Sequence, residues 1–306
     1  MIMTIFAGIL AAAPISTPGP VGDIHGTLID AGNKAPAVLI IPGSGPTDRD
    51  GNNPMGVKAA PYRLLAEGLA ERGVTSVRAD KRGLFASKAA VADANAVTLA
   101  DYAGDAHGWA KALRSRTENA CIWLIGHSEG GLVALQAAQD SIGICGVVLV
   151  AAPGRRMGDL IREQLRSNPA NAPVLDSALA AIAALEAGQR VDVTGMNPAL
   201  LPLFAPQVQG YLIDLMAADP ARLAKGLTVP LLIIHGSEDL QIAEADAKAL
   251  HAAQPKSRLI TLPGMNHVLK AVPPGDRAAN FAAYADPALP LAPGLIDAIA
   301  SFVTKH

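Results

Sequence analysis

Residues Gly126-His127-Ser128-Glu129-Gly130-Gly131 place a serine among small residues in the pattern G-x-S-x-G. The motif follows an apolar run, Cys121–Ile125, and precedes a helical pattern, Leu132–Ala138. A serine at a tight strand-to-helix turn is held with its hydroxyl exposed, and small residues two positions either side let strand and helix approach closely. The helix N-terminus then lends partial positive charge to an oxyanion developing beside it. Such pentapeptides also arise by chance, so the weight rests on the strand–turn–helix context. The chemistry it suits is nucleophilic acyl transfer, with Ser128 as nucleophile.

A serine hydroxyl is a poor nucleophile until a base takes its proton, and the base needs an orienting acid. Seven histidines compete for the role of base. His127 adjoins Ser128 and cannot easily fold back on it; it is expected to pack beside the turn. His25 precedes the core strands, His107 and His251 fall in helical patterns, His235 ends a strand run, and His306 is in the tail. His267 alone lies in a loop after the last apolar strand, in Pro263-Gly264-Met265-Asn266-His267, and is the expected base. For the acid, the run Leu231–Ile234 leads into His235-Gly236-Ser237-Glu238-Asp239. Asp239 is the expected orienter, with Glu238 its solvated neighbour. The order Ser, acid, His then follows the chain.

The oxyanion needs backbone donors. One is the N–H of Glu129, just after the nucleophile, and the second is expected from the loop Pro42-Gly43-Ser44-Gly45-Pro46. Ser44 N–H is assigned, with Gly45 as fallback. No G-K-[ST] ending follows, which disfavours a phosphate loop. Next comes Thr47-Asp48-Arg49-Asp50-Gly51, dense in charge for so apolar a chain. Arg49 either contacts a polar substrate group or, the favoured reading, pairs with Asp48, Asp50 or another acid and fixes the loop. No H-E-x-x-H or C-x-x-C spacing marks a zinc site, and no G-x-G-x-x-G follows a strand. No cofactor is expected.

Strand and helix signals alternate around these residues. Apolar runs at Ala37–Ile41, Val74–Ala79, Cys121–Ile125, Val147–Ala151, Leu231–Ile234 and Arg258–Leu262 read as strands. Helical patterns over Pro61–Arg72, Thr98–Ser115, Glu129–Gln139, Glu244–Ala253 and Gly294–Val303 separate or follow them. Thr98 and Asp101 resemble a capping box. This alternation predicts an α/β fold, a mostly parallel sheet covered on both faces. From Pro153 to about Val229 the alternation stops and only helical patterns remain, which predicts a helical cap rather than a long structureless loop.

Composition excludes several functions. Lys plus Arg is 25 against 27 for Asp plus Glu, so no basic stripe suits nucleic acid. Aromatics are only 4% of the 306 residues, which disfavours base stacking. No run reaches the ~18 apolar residues of a membrane span. Ile5–Ala13 has the length of a signal segment and an Ala11-x-Ala13 cleavage pattern, but the first basic residue is Lys34 and Pro14 follows the cut. Residues 1–16 therefore read as a frayed leader or signal segment, 17–152 and 229–306 as core, and 153–228 as cap. Cys121 and Cys145 should start neighbouring strands, where a bridge is sterically conceivable; two buried free thiols are the expectation. The composition permits a homodimer without demanding one.

These residues resemble the α/β-hydrolase superfamily over Gly26–Ala152 and Val229–His306. Asp80-Lys81-Arg82-Gly83 looks like its D-x-R-G turn, with Phe85 where glycine is common, a departure expected to touch turn shape. Gly43-Ser44-Gly45-Pro46-Thr47-Asp48-Arg49-Asp50-Gly51-Asn52, the Ser128 motif and Gly264-Met265-Asn266-His267 are similar to a bacterial carboxylesterase subgroup, the esterase D type of thermophiles. The resemblance implies the α/β-hydrolase fold, a cap between the sixth and seventh core strands, and a serine esterase acting on a small-molecule ester. Members often carry an export leader, which tilts the expectation toward a periplasmic or secreted protein. An acyl-peptide or amide hydrolase, or a thioesterase, would use the same triad, because fold does not fix function. A non-catalytic binding protein of this fold would have a broken triad, whereas all three members are present. In the cap only Phe204 and Tyr211 are aromatic, and both are candidates for lining an aliphatic pocket for short- to medium-chain esters.

Overall fold

A computed structural model of the chain describes residues 11–305. The sheet opens with β1 (Ala12–Pro18) and β2 (Asp23–Ile29), followed by β3 (Ala37–Ile41), helix α1 (Pro61–Ala70), β4 (Thr75–Ala79) and α2 (Leu99–Thr117). Then come β5 (Ile122–His127), α3 (Glu129–Ala137) and β6 (Ile144–Val150). Five helices intervene: α4 (Met157–Ser167), α5 (Leu175–Glu186), α6 (Leu201–Phe204), α7 (Pro206–Ala217) and α8 (Pro220–Gly226). The chain closes with β7 (Leu231–Gly236), α9 (Glu244–Ala253), β8 (Arg258–Leu262), α10 (Arg277–Ala282) and α11 (Leu295–Lys305).

One sheet of eight strands runs in the order β1-β2-β4-β3-β5-β6-β7-β8. β1 pairs antiparallel with β2, and β2 antiparallel with β4; every other pair is parallel. All residues of β3, β4 and β5 are buried, as expected of parallel strands covered on both faces. Side chains alternate between two cores. Leu39, Val77, Leu124 and Leu149 meet Trp109 and Leu113 of α2 and Leu132 of α3 on one face. Val38, Ile40, Ile125 and Val148 meet Leu65 and Leu69 of α1 and Ile299 and Phe302 of α11 on the other. The Thr98–Asp101 capping box forms at the start of α2, with both reciprocal bonds present.

Two expectations are corrected here. The segment 1–16 is not wholly a leader ahead of the sheet: Ala12–Ser16 pairs within β1, residue by residue against β2, and His25 lies in β2. Residues 1–10 of that segment lie outside the described residues, as does His306. Cys121 and Cys145 are not free thiols but form a disulfide, with Cα atoms 5.1 Å apart. Parallel β5 and β6 pair Ile122 with Ile144, which brings the two cysteines side by side at the strand starts.

The helices between β6 and β7 pack a core of their own from Ile161, Ile182, Leu185, Phe204, Leu212 and Met216. They are fastened to the sheet domain by polar contacts. Asp214 Oδ2 of α7 accepts from Leu99 N at 2.6 Å. Gln164 Nε2 of α4 donates to Gln241 O at 2.9 Å.

Candidate active site

Ser128 sits between the last residue of β5 and the first of α3, at φ 53° and ψ −127°. A non-glycine residue with this backbone is strained, and the neighbouring glycines explain how it is held. A Cβ on Gly126 would lie 2.4 Å from Gly130 O, and one on Gly130 would lie 2.3 Å from Ile41 O. Strand, turn and helix are in van der Waals contact there, and only hydrogen side chains fit. The turn is therefore the one the motif predicts, with Ser128 half-buried at its apex.

His267 follows β8 in its loop, as expected, and its Nδ1 lies 2.9 and 3.1 Å from the two carboxylate oxygens of Asp239. Asp239 is fully buried, at 0% side-chain exposure. Burial alone would push its carboxyl up, but His267 and the N–H groups of Ile242 and Gln241 outweigh that and hold it below its ordinary value. The carboxylate is thus charged. It accepts a hydrogen bond from His267 Nδ1–H, which leaves Nε2 with its lone pair for a substrate-side proton. Glu238 is turned elsewhere and accepts from Gly275 N at 2.9 Å. No hydrogen bond joins Ser128 Oγ to His267 here. The two are neighbours through His127, whose ring centre is 4.9 Å from that of His267. Bonds between nucleophile and base often tighten only once substrate is bound.

The loop after β3 lies against the nucleophile: a Cβ on Gly43 would be 3.1 Å from Ser128 Cβ. Ser44 and Gly45 are exposed just beyond it. Ser44 N–H has no partner among the described residues, whereas the carbonyls of Ser44 and Gly45 are engaged by Thr47. Ser44 follows Gly43, which lies against Ser128, and Glu129 follows Ser128 directly. His127 is buried beside the turn, as expected, with Nδ1 2.8 Å from the Tyr62 hydroxyl and Nε2 2.8 Å from His267 O.

The remaining site expectations divide. Arg49 pairs with an acid: its guanidinium is 2.6 Å from Asp80 Oδ2, and its backbone N–H donates to Asp80 Oδ1 at 2.9 Å. It fixes the loop, through a more distant acid than Asp48 or Asp50. Phe204 is wholly buried in the core of the inserted helices and lines no pocket. Its ring packs among Ile161, Ile182, Leu185, Leu212 and Met216. Tyr211 does reach the site, donating its hydroxyl to Glu129 Oε1 at 2.8 Å. Lys81 Nζ lies 3.5 Å from the same oxygen. The Glu129 side chain and Tyr62 were missed by sequence reasoning. A carboxylate directly after the nucleophile and a tyrosine opening α1 were the available signals.

In the D-x-R-G turn, Asp80 takes Arg49 while Arg82 binds Asp101 and Asp105 at 3.0 and 2.6 Å. Phe85 has φ 47°, the left-handed conformation that favours glycine, so the departure from the superfamily pattern strains the turn without touching the triad. Among the described residues no group of three His, Cys, Asp or Glu could hold a metal ion, and no helix is long and apolar enough to cross a membrane.

Residues 55–270 match the family described as serine aminopeptidase, S33. Over 215 residues the chain is 31% identical to Esterase EstD of Thermotoga maritima, covering 69% of this chain and 48% of that one. The chain thus spans about half the length of the curated relative it matches. Its fold is similar to that of Est1E from Butyrivibrio proteoclasticus, at TM-score 0.58 and 17% identity over 95% of this chain and 98% of that one. It is similar also to a thermophilic esterase from Thermogutta terrifontis, at TM-score 0.56 and 19% identity over 96% and 98%. At such identities these likenesses speak for fold alone. Together with the matched family they establish that the chain belongs to the serine aminopeptidase S33 family and has the α/β-hydrolase fold.

Proposed function

We propose that the chain is a serine carboxylesterase that hydrolyses short- to medium-chain carboxylic esters through an acyl-enzyme on Ser128. The strained Ser128 backbone at the β5–α3 turn, beside a His267 backed by buried Asp239, carries this reading. His267 Nε2 takes the Ser128 proton as Oγ attacks the ester carbonyl. The oxyanion rests on the N–H groups of Ser44 and Glu129. His267 then protonates the departing alcohol, and water, deprotonated by the same base, releases the acid. Losing one oxyanion donor lowers kcat by roughly 10²–10³.

Similarity to Esterase EstD supports an ester as substrate. The family's description raises peptide hydrolysis as the rival. An aminopeptidase needs an anion for the substrate's terminal ammonium, and the carboxylate next to the nucleophile, Glu129, is already engaged by Tyr211 and Lys81. A small apolar cavity of ≈ 40 Å³, lined by Ile41, Pro42, Ala106, Trp109, Glu129 and Val133, adjoins the residue after the nucleophile and supports the short end of the acyl range. The inserted helices act in this reading as a cap, held over the site by Tyr211. The Cys121–Cys145 bond supports placement in the periplasm or outside the cell, since cytosolic thiols are kept reduced.

The test is kcat/KM on matched p-nitrophenyl esters of increasing chain length, with the corresponding anilides and thioesters, for wild type and Ser128→Ala. Ester preference with loss of activity in Ser128→Ala is expected. Full activity in Ser128→Ala, or preference for the anilide, would overturn the reading.

A further inference from the structure

Tyr62 and His127 are buried polar residues at the site that acyl transfer itself does not use. The Tyr62 hydroxyl receives Gly43 N–H at 3.0 Å and lies 2.8 Å from His127 Nδ1. His127 Nε2 lies 2.8 Å from His267 O. Only one arrangement of protons satisfies all three contacts. A carbonyl oxygen only accepts, so His127 Nε2 bears the proton and donates it to His267 O. The Nδ1 of a neutral ring is then a lone pair, so Tyr62 O–H donates to it. Gly43 N–H donates to the tyrosine oxygen. The order of donors is thus Gly43 to Tyr62 to His127 to His267.

Burial, helped by the proximity of His267, pushes His127 down to about 3. Burial likewise raises the Tyr62 phenol well above its ordinary value. The imidazole therefore stays neutral and the phenol protonated across ordinary working pH, and the chain of donors keeps one direction.

We propose that Tyr62 and His127 are positioning residues that set the second oxyanion donor and the base at a fixed distance on either side of Ser128. Gly43 immediately precedes Ser44, His127 immediately precedes Ser128, and the accepting carbonyl belongs to His267 itself. One hydrogen-bonded chain thus links the loops after β3, β5 and β8. Donors and base accelerate the reaction only when aimed at where charge develops, so slack of a fraction of an ångström between these loops is felt in kcat. Neither residue needs to touch substrate for this. The inference rests on the triad reading above.

The experiment compares Tyr62→Phe, His127→Leu and His127→Gln with wild type and Ser128→Ala on p-nitrophenyl butyrate. Rates of wild type and of the Tyr62 and His127 variants are expressed per site titrated by a fluorophosphonate, so that misfolded protein does not count, and that of Ser128→Ala per mole of folded protein. Tyr62→Phe is expected to lower kcat about tenfold and His127→Leu about a hundredfold, with KM within about threefold. Both should displace the acidic limb of the kcat/KM profile, which follows protonation of His267. His127→Gln offers one amide donor and one acceptor, and should recover at least about tenfold over His127→Leu. Unchanged kcat and an unmoved acidic limb in Tyr62→Phe and His127→Leu overturn the inference, as does a His127→Gln no better than His127→Leu. If those variants are unaffected while Ser128→Ala is inactive, the positioning role alone fails. An active Ser128→Ala overturns the proposed function and the positioning role with it.

Discussion

Replacing Asp239 by asparagine isolates the charge behind the base. The amide oxygen can keep the N–H bonds from Gln241 and Ile242, at 2.8 and 3.0 Å, so the loop has the means to hold its shape. What changes is the face toward His267. The amide nitrogen donates where the carboxylate accepted, which moves the ring proton to Nε2 and leaves no lone pair for Ser128. The charge also disappears. An imidazolium 2.9 Å from this fully buried carboxylate is stabilised by about 5–6 kcal/mol at an effective dielectric near 20. At 1.36 kcal/mol per decade that corresponds to about 10⁴ in rate, so kcat is expected to fall roughly 10³–10⁴-fold. KM should stay within about threefold, since Asp239 lies behind the ring. The assay is steady-state hydrolysis of p-nitrophenyl butyrate with melting temperature as the folding control. Glu238→Gln, whose carboxylate faces Gly275, is the neighbouring control and should stay within about threefold of wild type. A folded Asp239→Asn enzyme within tenfold of wild-type kcat would refute the reasoning, as would an equal loss in Glu238→Gln.

Three further outcomes follow from the structure. The Cys121–Cys145 bond closes a loop with a sequence separation of 24, so replacing both cysteines by alanine should remove about 3.5 kcal/mol and lower the melting temperature by about 5 °C; an unchanged melting temperature contradicts the bridge. Arg49→Ala leaves the buried Asp80 carboxylate without its cation and should destabilise by about 2–4 kcal/mol in urea unfolding. The relative kcat/KM across an acyl-chain series should not change in that variant; altered selectivity at full stability would restore Arg49 to the substrate. Phe85→Gly relieves a left-handed backbone worth about 1–2 kcal/mol while giving up a ring that is 42% exposed. Its melting temperature should match or exceed that of wild type, and a clear drop counts against strain at this turn.

Which features were legible in the residues follows from how local their causes are. β3, β5 and β7 announce themselves because both faces are buried and, His127 and His235 apart, every residue is apolar or glycine. The Ser128 turn is legible because Gly126 and Gly130 are demanded by contacts within a few residues. β1 and β2 escape because their burial alternates or is incomplete, and His25, Gly26 and Thr27 interrupt any apolar run. The disulfide depends on the register of β5 against β6, and the Arg49 partner on a loop 31 residues away. Neither is written in local pattern. Phe204 was placed in a pocket because aromatic scarcity suggested function, whereas packing α5 against α7 claimed the ring first. Tyr62 lay outside every motif, yet its hydroxyl is where the loops after β3 and β5 meet.

The claim that Ser128 is the nucleophile is tested most directly by trapping. Wild-type protein and Ser128→Ala would be treated with a fluorophosphonate, and the adduct located by mass spectrometry of proteolytic peptides. A single phosphonyl adduct on Ser128, formed in proportion to lost esterase activity and absent from Ser128→Ala, is the predicted result. An adduct on another residue, or complete inactivation with Ser128 unmodified, would contradict the account.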